Sequence, residues 1–169
     1  MRLIKGLFTI LSWAVYACIA CYLLIAAPML AGYHPVVVLS GSMEPTYHVG
    51  SVIYYKEAAF SDINVGDAIT FRAGEDGMVT HRVTEKSELS QTFTTKGDAN
   101  STEDPNPVEY SDVIGKVWKI SIPYAGYFVN YSKNITTISV MAAIIIINIV
   151  LDMIFPDKEK KKKEPSAQE

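Results

Sequence analysis

Two long stretches without a formal charge constrain this chain more than anything else in it. Residues 7–42 contain no Asp, Glu, Lys or Arg, and neither do residues 134–151. A helix of about 20 mostly apolar residues covers the hydrocarbon of a bilayer, and both stretches approach or exceed that length. The chain reads as a membrane protein with a polar middle. At 169 residues, it has room for one domain between the spans and little left for a second core.

Charge sets the expected orientation. Arg2 and Lys5 flank the first stretch; Lys158 and Lys160 to Lys163 follow the second. Lysine and arginine close to span ends stay cytoplasmic, and two spans return the chain to its starting side. Both termini are therefore expected in the cytoplasm, with the middle outside the cell membrane or in the lumen of an equivalent secretory membrane. The expected organisation is a flank over 1–6, a transmembrane helix over 7–31, an extracytoplasmic domain over 32–132, a second transmembrane helix over 135–155, and a basic tail over 156–169 held against the inner leaflet. A cleaved signal peptide is the competing reading of the N-terminal stretch, given the small residues at Ala26-Ala27 and Ala31-Gly32. Its apolar core would exceed the usual ~7–15 residues, which favours a retained anchor. The middle is acidic and the chain carries a net −3, which argues against nucleic acid as a partner.

Cys18 and Cys21 form a C-x-x-C inside the first apolar stretch. At membrane depth, with no further cysteine and no histidine nearby, they read as small apolar filler. No metal or cofactor is expected, and the polar domain must hold together without disulfides. Asp152, near the end of the second span, reads as structural.

Between the spans, short β-type runs alternate with turn signals, at residues 36–39, 51–55, 68–71, 78–84, 93–96 and 113–122. Gly-marked turns at this spacing predict a mainly β fold, a small antiparallel barrel-like domain flanked by the two spans. No helical periodicity of any length is expected between them. The loop over 99–110 is polar and longer than most hairpin connections, hence a candidate functional loop.

The run Val36-Val37-Val38-Leu39 ends in Ser40-Gly41-Ser42-Met43-Glu44-Pro45-Thr46. Such a turn holds a serine at a strand tip among free backbone N–H groups. A serine hydroxyl becomes a nucleophile when a neighbouring base takes its proton, and the oxyanion that forms needs preorganised donors. His48, in a loop six residues on, and His81, on a predicted strand, are both candidate bases; His34 lies at the membrane exit. Imidazole titrates near ~6.5 and serves as a base near neutral pH. An orienting carboxylate is available from Asp98 or from Glu103-Asp104.

The order of the blocks resembles the type I signal peptidases. Ser40-Gly-Ser-Met-Glu-Pro-Thr46 follows an apolar run; then come Val65-Gly66-Asp67, Thr80-His81-Arg82-Val83, and Lys96-Gly97-Asp98 with Asn100 and Asp104. The resemblance covers about residues 36–117 and extends to Pro123-Tyr124 and Gly126. Most bacterial members place a lysine where this chain has His81. A histidine there is similar to the endoplasmic-reticulum and archaeal branch, found also in some Gram-positive bacteria.

The resemblance implies that Ser42 is the nucleophile and His81 the general base. Asp104 is the first choice to orient the imidazole and Asp98 the second, while the Ser42 N–H and the Ser40 hydroxyl form the oxyanion hole. The last block, Gly97-Asp-Ala-Asn-Ser-Thr-Glu-Asp104, departs from the fuller pattern of the lysine branch. The implied function is a membrane-bound serine endopeptidase that removes signal peptides from translocated precursors without a cofactor. Its substrates carry small residues before the scissile bond, suited to shallow apolar pockets that Val36, Val38 and Ile53 could line. The precursors and the bilayer are the implied partners, with association with the translocation machinery left open. A catalytically inert membrane-tethered binding or assembly module is the alternative; another is a peptidase dedicated to a few exported substrates. Asn100, Asn130 and Asn134 begin acceptor triplets for glycosylation, and little use of Asn100 or Asn134 is expected.

Overall fold

The computed structural model describes residues 2–74 and 77–156. The described residues divide into two units, one within 2–23 and 131–156 and the other within 24–130. The lysine-rich tail from residue 157 lies outside the described residues.

The first unit is built on two apolar helices, α1 (Arg2–Ala26) and α3 (Ile135–Ile154). Both are long and apolar enough to cross a membrane, over Leu3–Ala31 and Ile135–Ile154. Leu3, Leu23, Ile135 and Met153 are exposed, so the apolar surface of these helices is not spent on a protein core and suits a lipid surround. A few polar contacts tie the helices together. Asn148 Nδ2 donates to Thr9 Oγ1 at 3.3 Å, and Lys5 Nζ lies 3.0 Å from Asp152 Oδ1. The flank expected over 1–6 is thus already helical from Arg2, and Asp152 has a cationic partner on the other helix. The α-helix ends at Ala26, two residues before Pro28, which has no N–H to donate to the carbonyl four residues back. A 3₁₀ turn, Ala27–Ala31, follows.

The second unit is an antiparallel sheet of β1 (His34–Val37), β2 (Val52–Lys56), β3 (Ala68–Ala73), β4 (Gly77–Ser87), β5 (Thr92–Lys96), β6 (Val108–Glu109) and β7 (Val113–Ile122). The strand order is β1-β2-β7-β3-β4-β5-β6. Register shifts in the β2–β7, β3–β7 and β4–β5 pairs bend the sheet as bulges do. Among the described residues it is nevertheless open: β1 and β6 are its two edges and do not pair. The barrel-like expectation is corrected on this point, and the two-residue β6 offers too short a ladder to close the sheet. Mainly β describes residues 34–122 alone, because α1, α3 and a further helix run 25, 20 and 8 residues.

That further helix, α2 (Ala125–Ser132), corrects the expectation of no helix between the spans. Eight residues with Gly126 near the start carry little helical signal, and packing against the sheet supplies the rest. Gly126 N–H donates to Gly50 O at 2.9 Å. A Cβ at Gly126 would sit 2.7 Å from that oxygen and 2.5 Å from Val37 Cγ1, so only glycine allows the approach.

Three apolar clusters hold the sheet. Ile63, Ile69, Phe71, Val83, Phe93 and Val108 form one. Met43, Tyr47, Ile53, Ala68 and Val117 form the second, with Val36 and Val38 packed against it. The third is made of Val52, Tyr54 and Ala125, between β2 and α2. Strand β4 pairs with β3 over residues 77–82, whereas β5 begins opposite Arg82. Residues 77–81 therefore carry a ladder on one side only.

Candidate active site

Ser42 sits in a 3₁₀ turn, Gly41–Met43, entered from an extended Ser40. Met43 is 3% exposed and anchors the turn in the second cluster. Glu44 N–H closes back on Gly41 O, and Tyr47 N–H on Met43 O. The Ser42 carbonyl accepts from Ala99 N–H at 2.9 Å, which ties the turn to the chain just after β5. Gly97 makes that contact feasible: a Cβ there would lie 2.7 Å from Ser42 O. Ser40 Oγ and Ser42 Oγ are 3.5 Å apart. Among the described residues nothing accepts from Ser42 N–H, so that donor is unspent.

His81 projects from β4 opposite Ile69 and is 8% exposed. Its Nδ1 lies 2.6 Å from Asp104 Oδ2. Thr95 Oγ1 donates to the same oxygen at 2.6 Å, and Asp104 N–H donates to Thr95 O at 2.8 Å. Thr95 is wholly buried, so a rigid strand holds the carboxylate. A carboxylate takes a hydrogen from Nδ1, which leaves the lone pair on Nε2. Among the described residues no hydrogen bond occupies Nε2. The turn of Ser42 packs near β4, but no hydrogen bond joins Ser42 Oγ to His81. Catalytic hydrogen bonds often tighten only around substrate.

Asp98 is engaged elsewhere. Arg82 Nε and Nη2 donate to its two oxygens at 2.7 and 2.6 Å, and Thr46 Oγ1 donates to Oδ2 at 2.5 Å. The Arg82 hydrogen bond comes first in holding the Asp98 carboxyl below its ordinary value; the Thr46 hydrogen bond and the Arg82 charge add to it against the effect of burial. The same hydrogen bond holds the Arg82 guanidinium above its usual range. Neighbours on a strand face opposite ways, so His81 and Arg82 address different carboxylates. Arg82 Nη1 also reaches Gly66 O at 2.8 Å, which ties the block at 65–67 into the same network.

The other histidines lie apart from this arrangement. His34 stacks on Tyr55 at 5.3 Å, and His48 Nδ1 pairs with Glu44 at 2.5 Å. Arg82 and Gly97 stand in the motif blocks without an expected function of their own, and Thr95 stands outside those blocks. A charged residue next to His81 on a strand was a usable signal for Arg82, whereas nothing in the sequence marks Thr95.

A sequence model of the signal peptidase family, peptidase S26, matches residues 10–99. The chain belongs to this family. The matched stretch takes in Ser40, Ser42, His81 and Asp98 and ends short of Asp104. The chain is similar to signal peptidase I W of Bacillus subtilis (strain 168), 36% identical over 99 residues that cover 57% of this chain and 52% of that protein. It is similar also to the signal peptidase complex catalytic subunit SEC11C of Homo sapiens, 36% identical over 102 residues, 54% of this chain and 53% of that one. This family member thus spans about half the length of the curated relatives it matches. The two relatives share one degree of identity to it, although one is bacterial and the other animal.

Proposed function

We propose that the chain is a membrane-bound serine endopeptidase that removes signal peptides from translocated precursors. Ser42 is the nucleophile, His81 the general base, and Asp104 the group that orients the imidazole. The Ser42 Oγ attacks the scissile carbonyl carbon while its proton passes to His81 Nε2. The tetrahedral oxyanion accepts hydrogen bonds from Ser42 N–H and the Ser40 hydroxyl. His81 then returns the proton to the departing amine, and the mature chain leaves with the signal peptide esterified to Ser42. Water gives its proton to the same nitrogen, attacks the ester and frees the signal peptide.

The observation that carries this reading is the His81–Asp104 contact at 2.6 Å beside a turn whose Ser42 carbonyl is tied to Ala99. Base and nucleophile are then both anchored to the segment that follows β5. The one-sided ladder of residues 77–81 supports an extended substrate that adds main-chain hydrogen bonds there. Ile53 belongs to the apolar cluster that also holds Met43, next to Ser42 in the chain, and Val36 and Val38 pack against it, which supports shallow pockets for small side chains.

The expected topology has both termini in the cytoplasm and residues 32–132 outside, in a cell membrane or its secretory equivalent. Precursors are the proposed partners. One relative is named as a subunit of a signal peptidase complex, so association with further subunits is part of the proposal. The test is incubation of the full chain, in lipid, with several unrelated precursors, followed by sequencing of the new N-termini. Cleavage of all of them after small residues is the expected result. Cleavage of one alone identifies a dedicated peptidase, and cleavage of none an inert tethering module.

A further inference from the structure

A cavity of about 380 Å³ lies in the second unit, and neither Ser42 nor His81 lines it. Its charge and its aromatic wall suit a ligand that the peptidase chemistry does not use. Tyr33 and Trp118 stack with ring centroids 5.0 Å apart and form that wall. Lys56, Arg82, Lys116 and Lys119 supply four cations to the lining, against the carboxylates of Glu57 and Asp67. Lys116 is paired with Asp67 at 2.7 Å, and Arg82 is held by Asp98. Lys116 also donates to Asp62 O at 3.0 Å; Lys56 and Lys119 are the two lysines of the lining with no ion pair among the described residues. Lys56 Nζ gives one hydrogen to Ala31 O at 3.0 Å and lies 5.3 Å from the centre of the Tyr33 ring. Lys119 is exposed and has no hydrogen-bond or ion-pair partner among the described residues.

The place of the cavity says where its ligand comes from. Ala31 is the last residue of the first apolar span, and Tyr33 follows it by two. Tyr54 Oη donates to Ile25 O at 2.8 Å, so the end of the span is fastened to the same sheet. Paired aromatic rings and lysines at the end of a span are the side chains that settle at headgroup level. A lysine ammonium at that level attracts a lipid phosphate by its charge. The size is within the range of small-ligand sites.

The geometry points to a binding site for the phosphate of an anionic membrane lipid, seated between the Tyr33–Trp118 wall and the Lys56 and Lys119 ammonium groups. The site rests on residues 3–31 lying in a bilayer and not on the peptidase assignment. It fastens the sheet to the leaflet at the rim of the span.

The chain has two tryptophans, Trp13 and Trp118, so the Trp13→Phe protein reports from the cavity wall. The full chain in an uncharged detergent is titrated with dihexanoyl phosphatidylglycerol below its micelle concentration, with dihexanoyl phosphatidylcholine, and with inorganic phosphate. Saturable change in Trp118 fluorescence is expected with phosphatidylglycerol, with weaker binding of the other two. Lys119→Gln, which breaks no contact within the protein, is expected to weaken phosphatidylglycerol about fivefold, and Lys119→Arg to restore it. Inorganic phosphate binding as tightly as phosphatidylglycerol overturns the lipid as ligand in favour of the free anion. Equal binding of both lipids, unmoved by Lys119→Gln, overturns the site altogether in favour of acyl-chain adsorption.

Discussion

His81 and Asp104 stand 23 positions apart in the chain and meet through a 2.6 Å contact between Nδ1 and Oδ2. Thr95, 0% exposed, binds the same carboxylate oxygen, so the pair is held from a strand and not only from a loop. Asp104→Asn keeps the shape but lets the amide offer a hydrogen to Nδ1, which favours the wrong tautomer. The expected result is a fall in kcat on the order of 10³–10⁴-fold with KM little changed. Steady-state cleavage of a fluorogenic signal-peptide substrate measures it. A rise in KM with kcat unchanged would show that Asp104 acts on binding.

Asp98 belongs to a different network, and acid reveals it. Arg82 lowers the Asp98 carboxyl below its ordinary value. A carboxyl so lowered adds stability above its unfolded pKa of ~3.9 and loses it as pH falls through the lower, folded value. The protein is therefore expected to lose stability on acidification below about pH 4, and Asp98→Asn to lose part of that slope. At neutral pH the same variant is expected to be less stable by roughly 1.5–3 kcal/mol, the worth of a hydrogen bond to a charged group. Thermal melts of both proteins across acid pH check the sign.

Gly97→Ala tests the link between the Ser42 turn and the chain after β5. The added Cβ would meet Ser42 O at 2.7 Å and Asn100 Nδ2 at 2.8 Å. Relief requires Ser42 to move, so activity is expected to fall further than stability. The overpacking cost is about 1–3 kcal/mol. Thermal melts and turnover, measured on one preparation, separate the two effects.

Topology is tested by labelling. Ser90, exposed between β4 and β5, is replaced by cysteine, while Cys18 and Cys21 lie within the first apolar span. A membrane-impermeant maleimide added to intact cells is expected to label Ser90→Cys and not the parent protein. Labelling only after lysis would place this unit on the cytoplasmic side.

The spans were legible because an uncharged run of that length has few other uses, and most strands because Gly-marked turns bound them. The closure of the sheet was not legible: it depends on where edges meet, and β6 has two residues. Helix α2 owes its place to Gly126 against Gly50, a tertiary contact with no local signature. At the candidate site the sequence offered Asp98 and Asp104 six positions apart on one stretch, and periodicity has no hold on such a loop. What separates them is Arg82, which the alternation of β4 turns away from His81 and toward Asp98. Arg82 follows His81 directly in the sequence, yet its partner is fixed only when β5 is laid beside β4.

The most direct measurement is the processing of a co-expressed precursor by Ser42→Ala and by His81→Ala in a host without other signal peptidases. Each variant is expected to insert in the membrane at the normal level and to leave the precursor at full length on a gel, with turnover down by on the order of 10³-fold or more. Mature product at the wild-type rate from either variant would contradict the assignment of a serine nucleophile and a histidine base to this chain.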